Sequence, residues 1–348
     1  MKTLIIITLS FIMSVGAMAQ TYITQVKPYG EKLWGYVDQN GETVTEAIYK
    51  KCYQFSPDGL APIYESKQFI FINTKGEELN TEITGFKLIE GFIGIGGLQG
   101  YHDGMVAVIK GKKWGYLDTE GKVVIELKYE KVSIFNNGNA VANKGSDYFI
   151  LDKNGTEILV EGGKLIDIKH FSEGLAPFTN KDKQVGFVNN KGEIVVAAQF
   201  LAVGYFKDGL AWAKDVNKKV GFVNNKGEWI IEPQFDAAKN FDPISGLARV
   251  KTEGQWAYTN KSGEILFVDT EKWGDFKEGL ARGKKGGKTG YYNNKGEWVI
   301  APEFEGGRDF KNGFAAVKKG EKWGFINTKG EWMIEPQFAA VKDLERVN

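Results

Sequence analysis

Apolar and polar positions alternate in short runs along the chain, and the run from Lys322 to Phe338 shows the pattern most completely. Trp323, Phe325 and Asn327 alternate with Gly324 and Ile326, the period-2 signature of a β-strand rich in aromatic and β-branched residues. Asn327-Thr328-Lys329-Gly330 reads as a turn. The asparagine can accept local backbone hydrogen bonds, and the glycine tolerates the left-handed backbone of a bulge that follows a type I turn. Trp332 to Ile334 form the return strand, which stops near Pro336 because proline cannot donate to a ladder.

The same phrase recurs. Its turn glycine returns as Gly41, Gly76, Gly121, Gly155, Gly192, Gly227, Gly263, Gly296 and Gly330, with intervals of 35, 45, 34, 37, 35, 36, 33 and 34 residues. A second phrase, Gly-Leu-Ala or a variant of it, keeps step at Gly59, Gly104, Gly138, Gly174, Gly209, Gly246, Gly279 and Gly313, and reads as a third strand entering each hairpin. Tyr22 to Lys27 takes that place before the first hairpin. The expected fold is all-β: nine tandem repeats of about 35 residues over 20–348, three antiparallel strands each, burying their apolar faces on their neighbours. Nine units exceed the usual four to eight propeller blades, and a 35-residue unit is short for four strands. An open twisted β-solenoid is therefore expected, with a closed β-propeller as the alternative.

The runs Lys113 to Asp118 and Lys322 to Asn327, with the Ile-Glu-Pro-Gln-Phe runs at Ile231 to Phe235 and Ile334 to Phe338, resemble the WG-repeat (KWG) family of bacterial β-repeat proteins. The resemblance covers nearly the whole chain after residue 19 and implies architecture but no shared catalytic motif. Val185-Gly186, Val220-Gly221 and Thr289-Gly290 replace the Trp-Gly pair, Trp256-Ala257 alters it, and Phe69-Ile70 and Tyr148-Phe149 lose it. The tryptophan thus reads as a packing preference.

Met1 to Ala19 combines Lys2, an apolar run from Leu4 to Val15, and Ala17-Met18-Ala19, the pattern of a secretory signal peptide cleaved before Gln20. No cysteine stands directly after the cleavage point, which argues against a lipoprotein anchor, and no later apolar run is long enough for a transmembrane helix. A periplasmic or secreted location is expected. Without Lys2 the chain holds 44 basic and 44 acidic residues, a balance that argues against a nucleic-acid surface. Cys52 is the single cysteine and reads as a small core residue.

Residues that could carry chemistry are sparse. His102 and His170 stand in different units without nearby cysteines, so neither a metal site nor a cofactor is expected. No Gly-x-Ser-x-Gly elbow occurs, and Asp152-Lys153-Asn154-Gly155 has its glycine too early for a calcium loop. Unit two carries an insertion over 85–104 rich in glycine; it reads as a surface loop and a candidate contact. Asp58, Asp103, Glu173, Asp208 and Glu278 each precede the glycine of the third-strand phrase. A residue type shared by most units suits a shared task, such as holding a turn, better than catalysis.

The residue after Gly-Leu-Ala varies freely, and three neighbouring units place Trp212, Arg249 and Arg282 in one row. Tryptophan and arginine are enriched at binding hot spots, and arginine can stack on an aromatic ring or grip a carboxylate. These three are the expected binding residues, with Arg308 an addition on the same logic. The expected function is a non-enzymatic exported scaffold for a protein, peptide or glycan partner in the cell envelope. A carbohydrate-active enzyme using a carboxylate pair and a structural spacer are the alternatives.

Overall fold

A computed structural model describes residues 20–90 and 97–348. The signal-peptide reading of 1–19 and positions 91–96 of the unit-two insertion lie outside the described residues. Among the described residues every regular element is a strand, and no helix is long and apolar enough to cross a membrane.

The hairpin forms as its residues dictate. Asn327 Oδ1 accepts hydrogen bonds from the backbone N–H of Lys329 (2.9 Å) and Glu331 (3.0 Å), and Gly330 N donates to Asn327 O at 2.9 Å. All nine turn glycines are left-handed, with φ between 78° and 87°.

The third strand is preceded by a fourth. In six separate sheets the segment linking one repeat to the next forms a short strand on the Gly-Leu-Ala strand, as Lys131–Val132, Ala202–Val203 and Ala237–Ala238 do. Four of these six link strands have only two residues, too few to show alternation, and in these sheets the expectation of three strands per unit is corrected to four. A tight turn joins the two strands. His102 N donates to Met105 O at 2.9 Å and Met105 N to His102 O at 3.1 Å, while Asp103 (φ 58°) and Gly104 (φ 79°) supply the paired left-handed residues of a two-residue hairpin.

The glycine of Trp-Gly has a steric task. A Cβ on Gly115, Gly186, Gly221 or Gly324 would lie 2.3 to 2.5 Å from a carbonyl oxygen of the return strand. At these positions the register shifts, and the bulged return strand bends across the glycine. Units that keep this glycine have return strands of seven or more residues, such as Trp298–Phe304. With Ala257 the return strand is only Ile265–Leu266, and with Phe149 it is Glu157–Leu159, unshifted. With Ile70 only the single bridge Ile72 to Glu78 remains.

The tandem all-β repeat is as expected, but the open array is not. Thr21–Pro28, the first strand, pairs with the last long strand, Trp332–Val341, at Val26 to Val341 and Lys27 to Ala340, and with Glu345–Val347 at Thr21 to Val347. The C-terminal tail thus supplies the link strand that the first sheet would otherwise lack. Among the described residues nine apolar clusters join neighbouring sheets all the way round. One of them packs Val26 and Val37 of the first sheet on Phe325 and Ile334 of the ninth. The repeats close into a ring of nine sheets, the propeller alternative, because an open end would leave both a strand edge and an apolar face in water. Sheets are numbered below in chain order, the first holding Thr21–Pro28 and the second to ninth the Gly-Leu-Ala strands that follow Gly59 to Gly313.

Candidate functional site

Contacts between sheets account for most of the repeated polar residues. Four of the five carboxylates that stand ahead of a Gly-Leu-Ala glycine cap the turn of the next sheet. Glu173 accepts from Asp208 N (2.7 Å) and Gly209 N (2.9 Å), and Glu278 accepts from Asn312 N (2.5 Å) and Gly313 N (2.8 Å). Asp58 and Asp103 accept from Gly104 N and Gly138 N, and Asp208 pairs with Lys261 at 2.6 Å. The task that Asp58, Asp103, Glu173 and Glu278 share is therefore to fasten one sheet's turn to its neighbour's, through charge-assisted bonds that satisfy turn amides, while Asp208 reaches the next sheet through Lys261.

The row after Gly-Leu-Ala is also drawn into contacts between sheets. Arg249 stacks on Trp256 with its guanidinium carbon 4.5 Å from the ring centroid. Its Nη1 donates to Trp273 O, and its Nε lies 2.8 Å from Asp275 Oδ1, off the direct hydrogen-bond line. Arg282 repeats this one sheet on, with Nη1 donating to Gly307 O and Nε 3.2 Å from Asp309. Arg308 continues the series onto Asp343 of the tail. Arg249 thus does both things expected of an arginine at a binding surface, stacking and gripping a carboxylate, within its own chain. Trp212 is separate from this ladder: its ring covers Gly204, where any Cβ would collide, and it borders a 370 Å³ depression with Lys169, Pro177 and Tyr205.

Burial sets the electrostatics around the ladder. The carboxyls of Asp309 and Glu345 are raised above their ordinary range first by burial, against the opposing pull of Arg282 and Lys311 respectively. Burial also lowers His170, to about 4. Its ring stacks on Tyr205 with centroids 4.1 Å apart, and the Tyr205 hydroxyl lies 3.1 Å from Nδ1. His102 is lowered mainly by burial, and the charges of Asp58 in the second sheet and Lys311 in the ninth both reach it.

A depression of about 720 Å³ lies where the turns of sheets six to nine meet the C-terminal tail. Arg282, Arg308, Asp309 and Asp343 line it with the turn residues Lys207, Asp242, Lys277 and Lys311. Its apolar wall is Pro243 and Ile244, and Ile244 is 68% exposed. Sequence reasoning anticipated Arg282 and Arg308 but missed the lysines, which hold one position in three units: Phe206-Lys207, Phe276-Lys277 and Phe310-Lys311. The signal was there in the residue that follows that phenylalanine. Among the described residues no group of three or more His, Cys, Asp or Glu could hold a metal.

The family model for the WG containing repeat matches residues 34–65, 114–148, 186–219, 221–256, 290–323 and 323–345, more than half of the chain. The chain belongs to the WG-repeat family. The six WG-repeat matches begin at the six units that keep the glycine under the return strand. No curated protein matches the chain. Among solved structures it is similar to the computationally designed Ika8 protein (11% identity, 76% of this chain and 91% of that one, TM-score 0.43). It is also similar to BamB from Moraxella catarrhalis (10%, 70% and 87%, 0.37) and to YCF48 bound to D1 peptide (12%, 62% and 87%, 0.34). At TM-scores below 0.5 these likenesses constrain the WG-repeat ring no further.

Proposed function

We propose that this WG-repeat protein is an exported scaffold that binds a protein, peptide or glycan partner in the cell envelope without turning it over. The observation that carries this reading is the 720 Å³ depression at the junction of several sheets, framed by fixed arginine–aspartate pairs and walled by an exposed apolar turn. Its size falls within the range of ligand pockets, roughly 300 to 1,000 Å³. The carboxylates that recur along the chain support the reading too, since those of Glu173 and Glu278 each hold two turn amides. Arg282 forms part of the depression and Trp212 borders the smaller one, so both keep a place in the proposed surface, whereas Arg249 lines neither and joins its sheet to the next through Asp275.

Export rests on the sequence of residues 1–19, and the first test is the N-terminus of the protein recovered from periplasm or medium, expected at Gln20. The second is capture from envelope extracts by the immobilised protein, with Trp212→Ala expected to weaken it. Glycan turnover that a single Asp or Glu substitution abolishes would replace the scaffold with an enzyme.

A further inference from the structure

The 720 Å³ depression is asymmetric in charge in a way that specifies a ligand. Lys207, Lys277 and Lys311 stand at equivalent positions in sheets six, eight and nine, all exposed and all on its rim. In the seventh sheet Asp242 takes that position, but it is only 7% exposed and its carboxylate is occupied. Oδ1 accepts from Glu278 N at 3.0 Å, and Oδ2 accepts from Gly279 N at 3.1 Å and Ser245 N at 2.7 Å. Glu278 holds two backbone amides, and Asp309 and Asp343 are paired with Arg282 and Arg308. Each carboxylate on the wall therefore already has either hydrogen-bond donors or, for Asp309, a facing guanidinium at ion-pair distance. Among the described residues the ammonium groups of Lys207 and Lys277 make no hydrogen bond or ion pair, and that of Lys311 meets only Glu345, at 2.6 Å. The surplus at the rim is positive.

Between these lysines the seventh sheet breaks the repeat. Its turn runs Asp242-Pro243-Ile244-Ser245-Gly246 in place of the shorter Phe-x-acid-Gly form, and lifts Ile244 into solvent. The phenylalanines of the wall, Phe241, Phe276 and Phe310, are 2 to 3% exposed and offer no ring face on which a sugar could stack. An exposed branched aliphatic residue beside a proline, flanked by the unpaired Lys207 and Lys277 and by Lys311 on Glu345, suits a chain that alternates carboxylates with an apolar side chain.

We propose that this depression docks an acidic segment of a partner protein: carboxylates of the segment meet Lys207, Lys277 and Lys311, and an aliphatic or aromatic side chain between them rests on Pro243 and Ile244. The proposal rests on the scaffold reading and gives it a partner chemistry.

The test uses the full chain and three probes: a fluorescein-labelled peptide of Asp and Glu interspersed with Leu, the same peptide with Lys in the acidic places, and polygalacturonate. Saturable binding of the acidic peptide alone is expected, weakening as salt rises, because exposed charges are screened within about 10 Å at 0.1 M. The pair Lys207→Glu and Lys277→Glu should weaken it by about tenfold or more, through lost attraction and new repulsion. Ile244→Ser should weaken it without changing the salt dependence. The pair Lys191→Glu and Lys226→Glu, on exposed hairpin turns, should leave it unchanged, and melting curves confirm that each variant is folded. The proposal is overturned if the Lys207/Lys277 variant binds like the parent, if the basic peptide binds equally, if only polygalacturonate binds, or if no probe binds. Envelope capture that persists in the Lys207/Lys277 variant would overturn this docking site while leaving the scaffold reading in place.

Discussion

Val26 and Val341 lie opposite one another in an antiparallel ladder although almost the whole chain separates them, and both are buried in the cluster between the first and ninth sheets. The ring is held shut there by the last few residues. Leu344, 1% exposed in the same cluster, should cost about 2 to 5 kcal/mol when replaced by alanine, from lost transfer energy and the cavity left behind. Removing residues 340–348 should go further and expose both the edge of the first strand and the apolar faces of two sheets. Urea unfolding of both variants checks this, and a truncated chain as stable as the parent would refute closure.

The glycine of Trp-Gly should prove far less replaceable than the tryptophan. In Gly221→Ala the new Cβ would sit 2.3 Å from Ile231 O, a backbone atom that cannot move aside without unpairing the return strand. A loss of about 3 kcal/mol or more is expected, against about 1 kcal/mol for Trp323→Phe, which keeps an aromatic ring in the half-buried site. Ala257→Gly, where the return strand does not cross, should change stability by less than about 1 kcal/mol. Denaturation midpoints of the three variants decide between a steric and a packing role.

The carboxylates between sheets predict a graded series. Glu278→Ala strands the amides of Asn312 and Gly313 and should cost about 1 to 3 kcal/mol, whereas Glu278→Gln keeps one acceptor oxygen and should cost roughly half as much. Amide hydrogen exchange should rise locally at Asn312 and Gly313. If exchange rises evenly over the ring, the carboxylate is not fastening that turn.

His170 predicts a pH dependence with a definite sign. Burial holds its folded pKa at about 4, below the ordinary value of 6.5, so the unfolded chain binds the proton more readily. The stability that the neutral ring contributes is complete above about 6.5, falls as the pH drops from 6.5 to 4, and changes no further below that. The loss is at most on the order of 3 kcal/mol. His170→Gln should remove this part of the acid sensitivity while the rest of the curve stays. Its measure is the difference between the two melting-temperature profiles over that window, and parallel profiles would refute the assignment.

Much of the repeat was legible because it is local. The Asn-x-x-Gly turn, the alternation of Trp323, Phe325 and Asn327, and the shared role of Glu173 and Glu278 all follow from residues within one unit or at matching places in successive units. Most link strands escaped detection because two residues, as in Lys131–Val132, carry no periodicity. The binding row was read by enrichment alone. Nothing within a unit shows that Asp275 and Asp309 stand within reach of Arg249 and Arg282, since each pair spans two sheets and more than twenty residues. The rim of Lys207, Lys277 and Lys311 was present as a variable position, but only the curvature of the array turns three separated residues toward one cavity.

The amino-acid order by itself determined a strand-forming repeat with left-handed glycines at its turns and apolar faces on its strands, because period-2 alternation and positive φ are properties of a few consecutive residues. Whether nine such units stay open or close was decided only in three dimensions. The small rotation from each sheet to the next accumulates along the chain, and its total brings Thr21–Pro28 against Trp332–Val341, where the unsatisfied edge of one end pairs with the other.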